Sequence, residues 1–213
     1  PPPPPPPPPL TLHDALPIYP MVYASIEVFR EDPSKYWAIR GEFIRNYDTY
    51  QPNNAHLALA ELQEMGIVRH VITQNIDGLH KKAGSRNVTE IHGSLRETYC
   101  LQCGKEFIAP HVPDGLPPYC ECGGVLKPNT VLFGEQLPEG ALETAYQESA
   151  TCKLMLVIGT SAVVKPAASL PVLAQHNGAR IVEVNIEREF SGADFVVAEK
   201  AGDGLSGMLD DVK

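Results

Sequence analysis

Four cysteines between positions 100 and 122 constrain this chain more than any other feature of its sequence. Cys100-Leu-Gln-Cys103 is followed, after sixteen residues, by Cys120-Glu-Cys122, with Gly104, Gly123 and Gly124 just behind the pairs. Glycine lets the backbone curl so that amide groups approach thiolate sulfur, and a four-thiolate set matches a closed tetrahedral zinc site. The second pair is C-x-C where C-x-x-C is usual. Extended backbone tolerates this, because alternate residues point the same way. A disulfide framework would spread its cysteines over a secreted domain, whereas these are gathered in one segment. With all four positions filled by sulfur, the ion has none left for a substrate. The expectation is one structural Zn2+ on Cys100, Cys103, Cys120 and Cys122, with four unligated thiols in a loop as the alternative. Such an ion contributes on the order of 10 kcal/mol to folding a segment too small to have a core.

On either side of this insertion the pattern is that of an α/β protein. From Tyr23 to Tyr50, apolar residues at three and four spacings predict two helices broken at Asp32-Pro33, with Asp32 as N-cap and Pro33 at the first helical position. Gln51-Pro52-Asn53-Asn54 predicts a turn with an N-cap. A helix follows over Ala55 to Met65, its apolar face carried by Ala55, Ala58, Leu59, Leu62 and Met65, and Gly66 ends it in the left-handed region. His56 reads as a packing or hydrogen-bonding residue, and no role is assigned to His80 or Lys165. Ile67 to Thr73 has the length and apolar character of a strand. Beyond the cysteines, Val131 to Glu135 reads as strand-to-turn, Glu139 to Thr151 as a helix, and Leu154 to Gly159 as a buried strand. A small-residue loop through Thr160, Ser161 and Pro166 enters a helix ending at Gly178. Strands at Arg180 to Val184 and Phe195 to Glu199 follow, then an amphipathic helix from Gly204 to Val212 through Leu205, Met208, Leu209 and Val212. Cys152 is expected as a small buried hydrophobe. Strands alternating with helices imply a Rossmann-like, doubly wound parallel sheet with a small inserted zinc-binding module.

The boundaries follow. Residues 19–97 form the first part of the Rossmann-like domain with its helical module, 98–127 the zinc module and 128–213 the second part. Pro1 to Pro9 and the aperiodic stretch after it, residues 1–18, read as an assembly artefact or disordered extension outside the fold.

Chemistry concentrates in Val71 to Ser94, where an apolar strand runs into Gln-Asn-Ile-Asp and a lone His sits within Glu-Ile-His-Gly-Ser. Open α/β sheets bind ligands at the carboxyl ends of their strands, so this stretch is the expected floor of an active site. Lys plus Arg is 17 against Asp plus Glu 26, a balance of −9, which disfavours nucleic acid and anionic membrane and suits a basic peptide. With no apolar span and no signal segment, the expected location is cytoplasmic.

Thr73-Gln74-Asn75-Ile76-Asp77, Glu90-Ile91-His92-Gly93-Ser94, the cysteine pairs, Phe133-Gly134-Glu135 and Gly159-Thr160-Ser161 together resemble, in order and spacing, the sirtuins, the NAD-dependent protein deacylases. The resemblance covers roughly residues 20–212. It implies a cleft that takes NAD from one side and an acetyl-lysine protein or peptide from the other. In that chemistry the acyl oxygen attacks the nicotinamide ribose, nicotinamide leaves, and a base activates a ribose hydroxyl to attack the acyl carbon. Free lysine and O-acetyl-ADP-ribose result. By resemblance His92 is the base and Asn75 takes part in catalysis, while Gln74, Asn75, Ile76 and Asp77 line the nicotinamide and ribose pocket. Gly159, Thr160, Ser161 and Asn185 resemble the phosphate and adenosine-ribose contacts. Val131, Phe133, Gly134 and Glu135 resemble the segment that pairs with substrate as an added strand. The blander readings are a loop histidine at His92, a turn cap at Asp77 and a strand end at Asn185.

Two family features are not found in the sequence. They are an opening strand with a Gly-Ala-Gly-x-Ser turn, and the Gly-Ile-Pro-x-Phe-Arg segment that covers the nicotinamide. Amides of a Gly-rich turn hold the pyrophosphate, so the expectation is a truncated sirtuin, roughly forty residues short, that binds NAD poorly and is inactive. Sirtuins that remove acidic acyl groups place a Tyr and an Arg three apart, where Arg40 and Phe43 stand here, so an uncharged acyl group is expected. A non-catalytic, zinc-stabilised peptide-binding module and an NAD-dependent ADP-ribosyltransferase are the alternatives.

Overall fold

The structure, a computed structural model, describes residues 24–108 and 117–213. The segment 1–18, the start of the first helical stretch at Tyr23 and part of the zinc module lie outside the described residues. Helix α1 (Ile26–Glu31) and helix α2 (Pro33–Arg45) are separated by Asp32, whose Oδ1 accepts the Ser34 N–H at 3.1 Å while Pro33 occupies the first helical turn. This is the predicted break, and its cause is local: an aspartate cap followed by a residue that lacks an N–H. The two helices bury Phe29, Tyr36, Trp37 and Ile44 against Leu95 and Leu132. Trp37 is fully buried, and its indole N–H donates to the Leu126 carbonyl at 3.0 Å. Trp37→Phe is therefore expected to cost about 1–3 kcal/mol in urea unfolding, because that buried carbonyl loses its donor. Ile39, on the same helix, is instead half exposed.

Helix α3 (Asn54–Glu64) is capped reciprocally by Asn53 and His56, so His56 serves the helix end and its packing, as its position predicts. The predicted apolar face packs on helix α7 (Ala201–Asp211) through Leu205 and Leu209, but Met65 and Val212, at the two helix ends, are largely exposed. The strand expected from Ile67 begins only at Val71. The Ile67 and Val68 amides both donate to the Leu62 carbonyl, closing the helix C-terminus, and are therefore withheld from any sheet.

Strand β1 (Val71–Thr73) pairs in parallel with β2 (Val88–Glu90), and helix α4 (Leu79–Lys82) lies between them in sequence. Three further parallel strands, β6 (Leu154–Ile158), β7 (Arg180–Val184) and β8 (Phe195–Val197), form a second sheet in the order 6-7-8. Helix α5 (Glu139–Thr151) precedes that sheet, and α6 (Leu170–His176) crosses from β6 to β7, with Gly178 just past its Asn177 C-cap at φ +88°. The predicted parallel order is thus present, divided between two sheets among the described residues. β6 was expected to be buried. Among the described residues it pairs only with β7, and within it Leu154 is half exposed and Val157 alone is buried. Cys152, just before it, is half-buried and packs beside Val157, Ala174 and Ile181.

The inserted module is antiparallel. β3 (Gly93–Cys100) lies between β4 (Glu106–Ile108) and β5 (Leu126–Thr130). After β5 the chain does not continue as the expected strand; only Phe133 forms a parallel bridge, to Ser25.

Candidate active site and metal centre

The carboxyl ends of β1 and β2 build one wall. Buried Thr73 receives the Asn75 N–H on its hydroxyl at 3.0 Å, and its carbonyl accepts the Ile91 N–H at 3.0 Å, so the Gln74–Asp77 turn is tied to the chain before His92. Ile76 is held twice, by packing on the aromatic core and by accepting the Leu95 N–H at 2.9 Å. Its role in the geometry is to anchor the turn. Asp77 accepts the Leu79 N–H at 3.0 Å, which is the capping role sequence reasoning kept as the alternative, and its second carboxylate oxygen is left for other partners. Behind Asp77, His56 and His80 place their ring centroids 4.6 Å apart; burial, and then the neighbouring His56, hold His80 down to about 4, so it is neutral near pH 7.

His92 is half-buried, and its Nδ1 lies 3.1 Å from the Gln74 carbonyl. A carbonyl only accepts, so Nδ1 carries the proton and Nε2 is the basic nitrogen. The next residue, Gly93, has φ +75°, and a Cβ there would lie 2.1 Å from the Asn129 carbonyl oxygen. Gly93→Ala combines left-handed strain with a backbone clash and is expected to cost about 3 kcal/mol in chemical denaturation, with the start of β3 displaced.

The opposite wall comes from β6 and β7. Gly159 turns the chain at φ +56°, and the Thr160 hydroxyl accepts from Ala162 N at 3.1 Å and, weakly, from Gln74 Nε2 at 3.4 Å. The Thr160 carbonyl accepts from Asn185 Nδ2 at 3.0 Å. Thr160 therefore joins Gln74 on one sheet to Asn185 on the other. Both amide hydrogens of Asn185 are engaged, the second by Glu183 at 3.4 Å, and its oxygen already accepts the Ile186 N–H at 3.1 Å, so what it can offer a ribose hydroxyl is the remaining lone pair of that oxygen. Ser161 is exposed beside them.

Two residues that sequence reasoning passed over support this wall. Ala162 has φ +50°, a non-glycine residue in the left-handed region within the loop that follows β6. Glu183 is completely buried and accepts the Glu189 and Phe190 amides at 2.8 and 3.2 Å, shaping the loop after Asn185. A carboxylate inside the otherwise apolar Ile-Val-Glu-Val run was the available signal.

The proposed substrate segment is placed differently residue by residue. The Val131 N–H donates to the His92 carbonyl at 2.9 Å, so this segment abuts the catalytic candidate. Both backbone groups of Phe133 are engaged, the N–H by Ala24 O at 2.7 Å and the carbonyl by Ile26 N at 3.0 Å. An added peptide strand cannot use them without displacing residues 24–26. Gly134, at φ +88°, is exposed beside the Glu27 carboxylate, whereas Glu135 turns inward to Lys127. Phe43, aligned with the acyl-selecting position, stacks on Tyr50 with centroids 4.7 Å apart.

The four cysteines converge as predicted. Their sulfurs lie within 4.8 Å of one another, with Cys100–Cys122 at 3.5 Å and Cys103–Cys120 at 3.7 Å. A tetrahedron with zinc–sulfur bonds of about 2.3 Å has edges of about 3.8 Å, so the set fits the ion. The Cys103 amide, together with that of Gln102, points at the Cys100 sulfur and holds that thiol down to about 6. The Gly124 amide draws Cys122 down too, but its bonds to the Cys103 and Cys100 sulfurs outweigh this and push it up to about 12, as thiols sharing protons in one cluster do.

An α/β enzyme architecture with polar groups gathered at the carboxyl ends of parallel strands, and with an inserted four-cysteine module, is the class this geometry defines. The Sir2 family model matches residues 16–166. The chain is 43% identical over 197 residues to the NAD-dependent protein deacetylase of Sulfurisphaera tokodaii, covering 89% of this chain and 78% of the relative. It is 42% identical over 200 residues to NAD-dependent protein deacylase 2 of Pyrobaculum aerophilum, covering 91% and 79%. Among solved structures, a Sir2 homologue in complex with NAD superimposes with a TM-score of 0.86 at 40% identity, over 91% of this chain and 77% of that one. A Sir2 protein bound to an acetylated peptide superimposes with a TM-score of 0.84 at 34% identity, over 89% and 83%. This chain belongs to the Sir2 family.

Proposed function

We propose that the chain is an NAD-dependent protein lysine deacetylase, taking acetyl-lysine proteins as substrate and NAD as co-substrate and keeping one structural zinc. The observation that carries this reading is the meeting of Gln74 and His92 from one parallel sheet with Thr160 and Asn185 from the other. The exposed Asn75 amide and the second oxygen of Asp77 suit a carboxamide, since the one can donate and the other accept. Thr160 and the Asn185 oxygen suit hydroxyl and phosphate groups. NAD bound there would supply the ribose that receives the acyl group, and His92 Nε2 would take the proton from a ribose hydroxyl. The relatives' names and the acetyl-peptide complex of a Sir2 neighbour support the same reading.

Incubation with NAD and a basic acetyl-lysine peptide tests it, with free nicotinamide and deacetylated peptide measured together. Equal yields of the two are expected. Transfer of ADP-ribose to protein without peptide deacetylation would replace this reading with that of a transferase, and peptide capture with no NAD turnover would replace it with that of a binding module. Among acyl groups, acetyl should be turned over faster than succinyl, because Arg40 and Phe43 do not supply a Tyr–Arg pair. We propose further that the 213-residue polypeptide, taken by itself, holds NAD weakly and turns over slowly, since its sequence has no Gly-rich turn for the pyrophosphate. An NAD titration compared with that of a homologue carrying the turn would decide this, and equal affinities would defeat it. The clustered free thiols fit a reducing compartment such as the cytoplasm.

A further inference from the structure

Lys127 lies in β5, between the metal ligand Cys122 and the proposed substrate segment, and is 1% exposed. Its ammonium has three hydrogens and three oxygen partners: Thr130 O at 2.7 Å, Glu135 Oε2 at 2.9 Å and Pro128 O at 3.2 Å. It also sits 5.4 Å from the centroid of the Tyr99 ring. Glu135 passes the connection on, because the same carboxylate oxygen accepts the Leu132 N–H at 2.8 Å and the Glu135 N–H donates to the Leu132 carbonyl at 3.0 Å. One cation therefore fixes residues 128, 130 and 135 directly and residue 132 through its counter-ion. The piece of chain enclosed by these contacts carries Val131, whose amide holds the His92 carbonyl.

A buried ion pair adds little net stability, because desolvation offsets much of the attraction. What a fully satisfied buried pair does fix is geometry. Burial pulls the Lys127 pKa below the usual lysine value, and Glu135 opposes that pull.

We propose that Lys127 is a positioning residue for the acyl-peptide site, clamping residues 130–132 and 135 into the backbone shape that an incoming acetyl-lysine strand meets. This inference rests on the deacetylase reading for its ligand, but the clamp itself can be read without activity.

The test compares the unmodified chain with Lys127→Met, a neutral residue of similar length; with Glu135→Gln, which keeps an acceptor for Leu132; and with Lys127→Arg, which keeps the charge. Hydrogen exchange is followed at the Val131 and Leu132 amides, and affinity is measured by anisotropy of a fluorescent acetyl-lysine peptide. In Lys127→Met the two amides are expected to exchange about tenfold faster or more, with amides of α3 and β7 unchanged. Peptide Kd and KM should rise about tenfold while kcat and NAD affinity stay within about threefold. Glu135→Gln should show the same pattern more weakly, and Lys127→Arg should recover most of the peptide affinity. If Lys127→Met does not fold, Glu135→Gln carries the test alone. Unchanged exchange at residues 131 and 132, or peptide and NAD affinities falling together, would overturn the proposal. If the unmodified chain binds no peptide while the variants still speed exchange at these amides, the deacetylase reading fails and the clamp is supported.

Discussion

Replacing Cys100 with Ser is expected to abolish zinc binding, measured as metal per chain by atomic absorption, and to lower the melting temperature by about 10 °C or more. The reason is the size of what would remain. Without the ion, the apolar cluster inside the module is no more than Cys100, Cys120 and Leu126, with Phe107 packed against them. A cluster that small does not offset the chain entropy of the ordered module, whereas a structural zinc contributes on the order of 10 kcal/mol. The effect should not stop at the module. β3 runs from Gly93, next to His92, to Cys100 itself, and β5 runs from Leu126 to Thr130, next to Val131. Loss of the metal is therefore expected to weaken acetyl-peptide binding as well, with amides of β3 and β5 losing exchange protection before those of β6 and β7. Retention of one zinc and an unchanged melting temperature would show that Cys100 is not a ligand.

Replacing His92 with Ala should lower turnover of an acetyl-lysine peptide by about 10²- to 10⁴-fold, the usual range for removal of a positioned general base. Because NAD binding by this polypeptide is proposed to be weak, the comparison belongs at saturating NAD. The fold itself should be nearly unaffected: the side chain is half-buried, its one hydrogen bond among the described residues is from Nδ1 to the Gln74 carbonyl, and that carbonyl can be met by water. Melting temperature and peptide affinity are thus expected to stay close to those of the unmodified chain. A loss of turnover below tenfold would remove His92 from the role of base.

What was legible in advance was what short stretches decide. Asp32-Pro33 breaks a helix, Asn53 caps the next, and Gly66 and Gly178 lie in the left-handed region where their position after a helix demanded it. The cysteine spacing predicted a site that four sulfurs now occupy within 4.8 Å. The family resemblance assigns Gln74, His92, Thr160 and Asn185 to one site, and Gln74 and Asn185 both hydrogen-bond to Thr160. Less was legible wherever the outcome depended on a distant partner. Leu154 to Ile158 is as apolar as a central strand, yet among the described residues β6 pairs on one side only. Phe133 looks like part of a peptide-pairing edge, but Ala24 and Ile26 take both its backbone groups. Glu135 resembles a substrate contact, and its carboxylate is turned inward to Lys127.

The sequence by itself therefore determined the helix breaks, the cysteine cluster and the family, because caps, left-handed glycines and cysteine spacings act over a few residues and leave their mark in residue type; the start of the last helix, expected at Gly204 and found at Ala201, was not among them. Tertiary structure alone decided which edges stay open, how Thr160 joins the two walls, and that a lysine beside a proline is buried as a clamp. Those outcomes turn on pairings such as Gln74 with Thr160 and Trp37 with Leu126, which a chain makes only after it has folded back on itself.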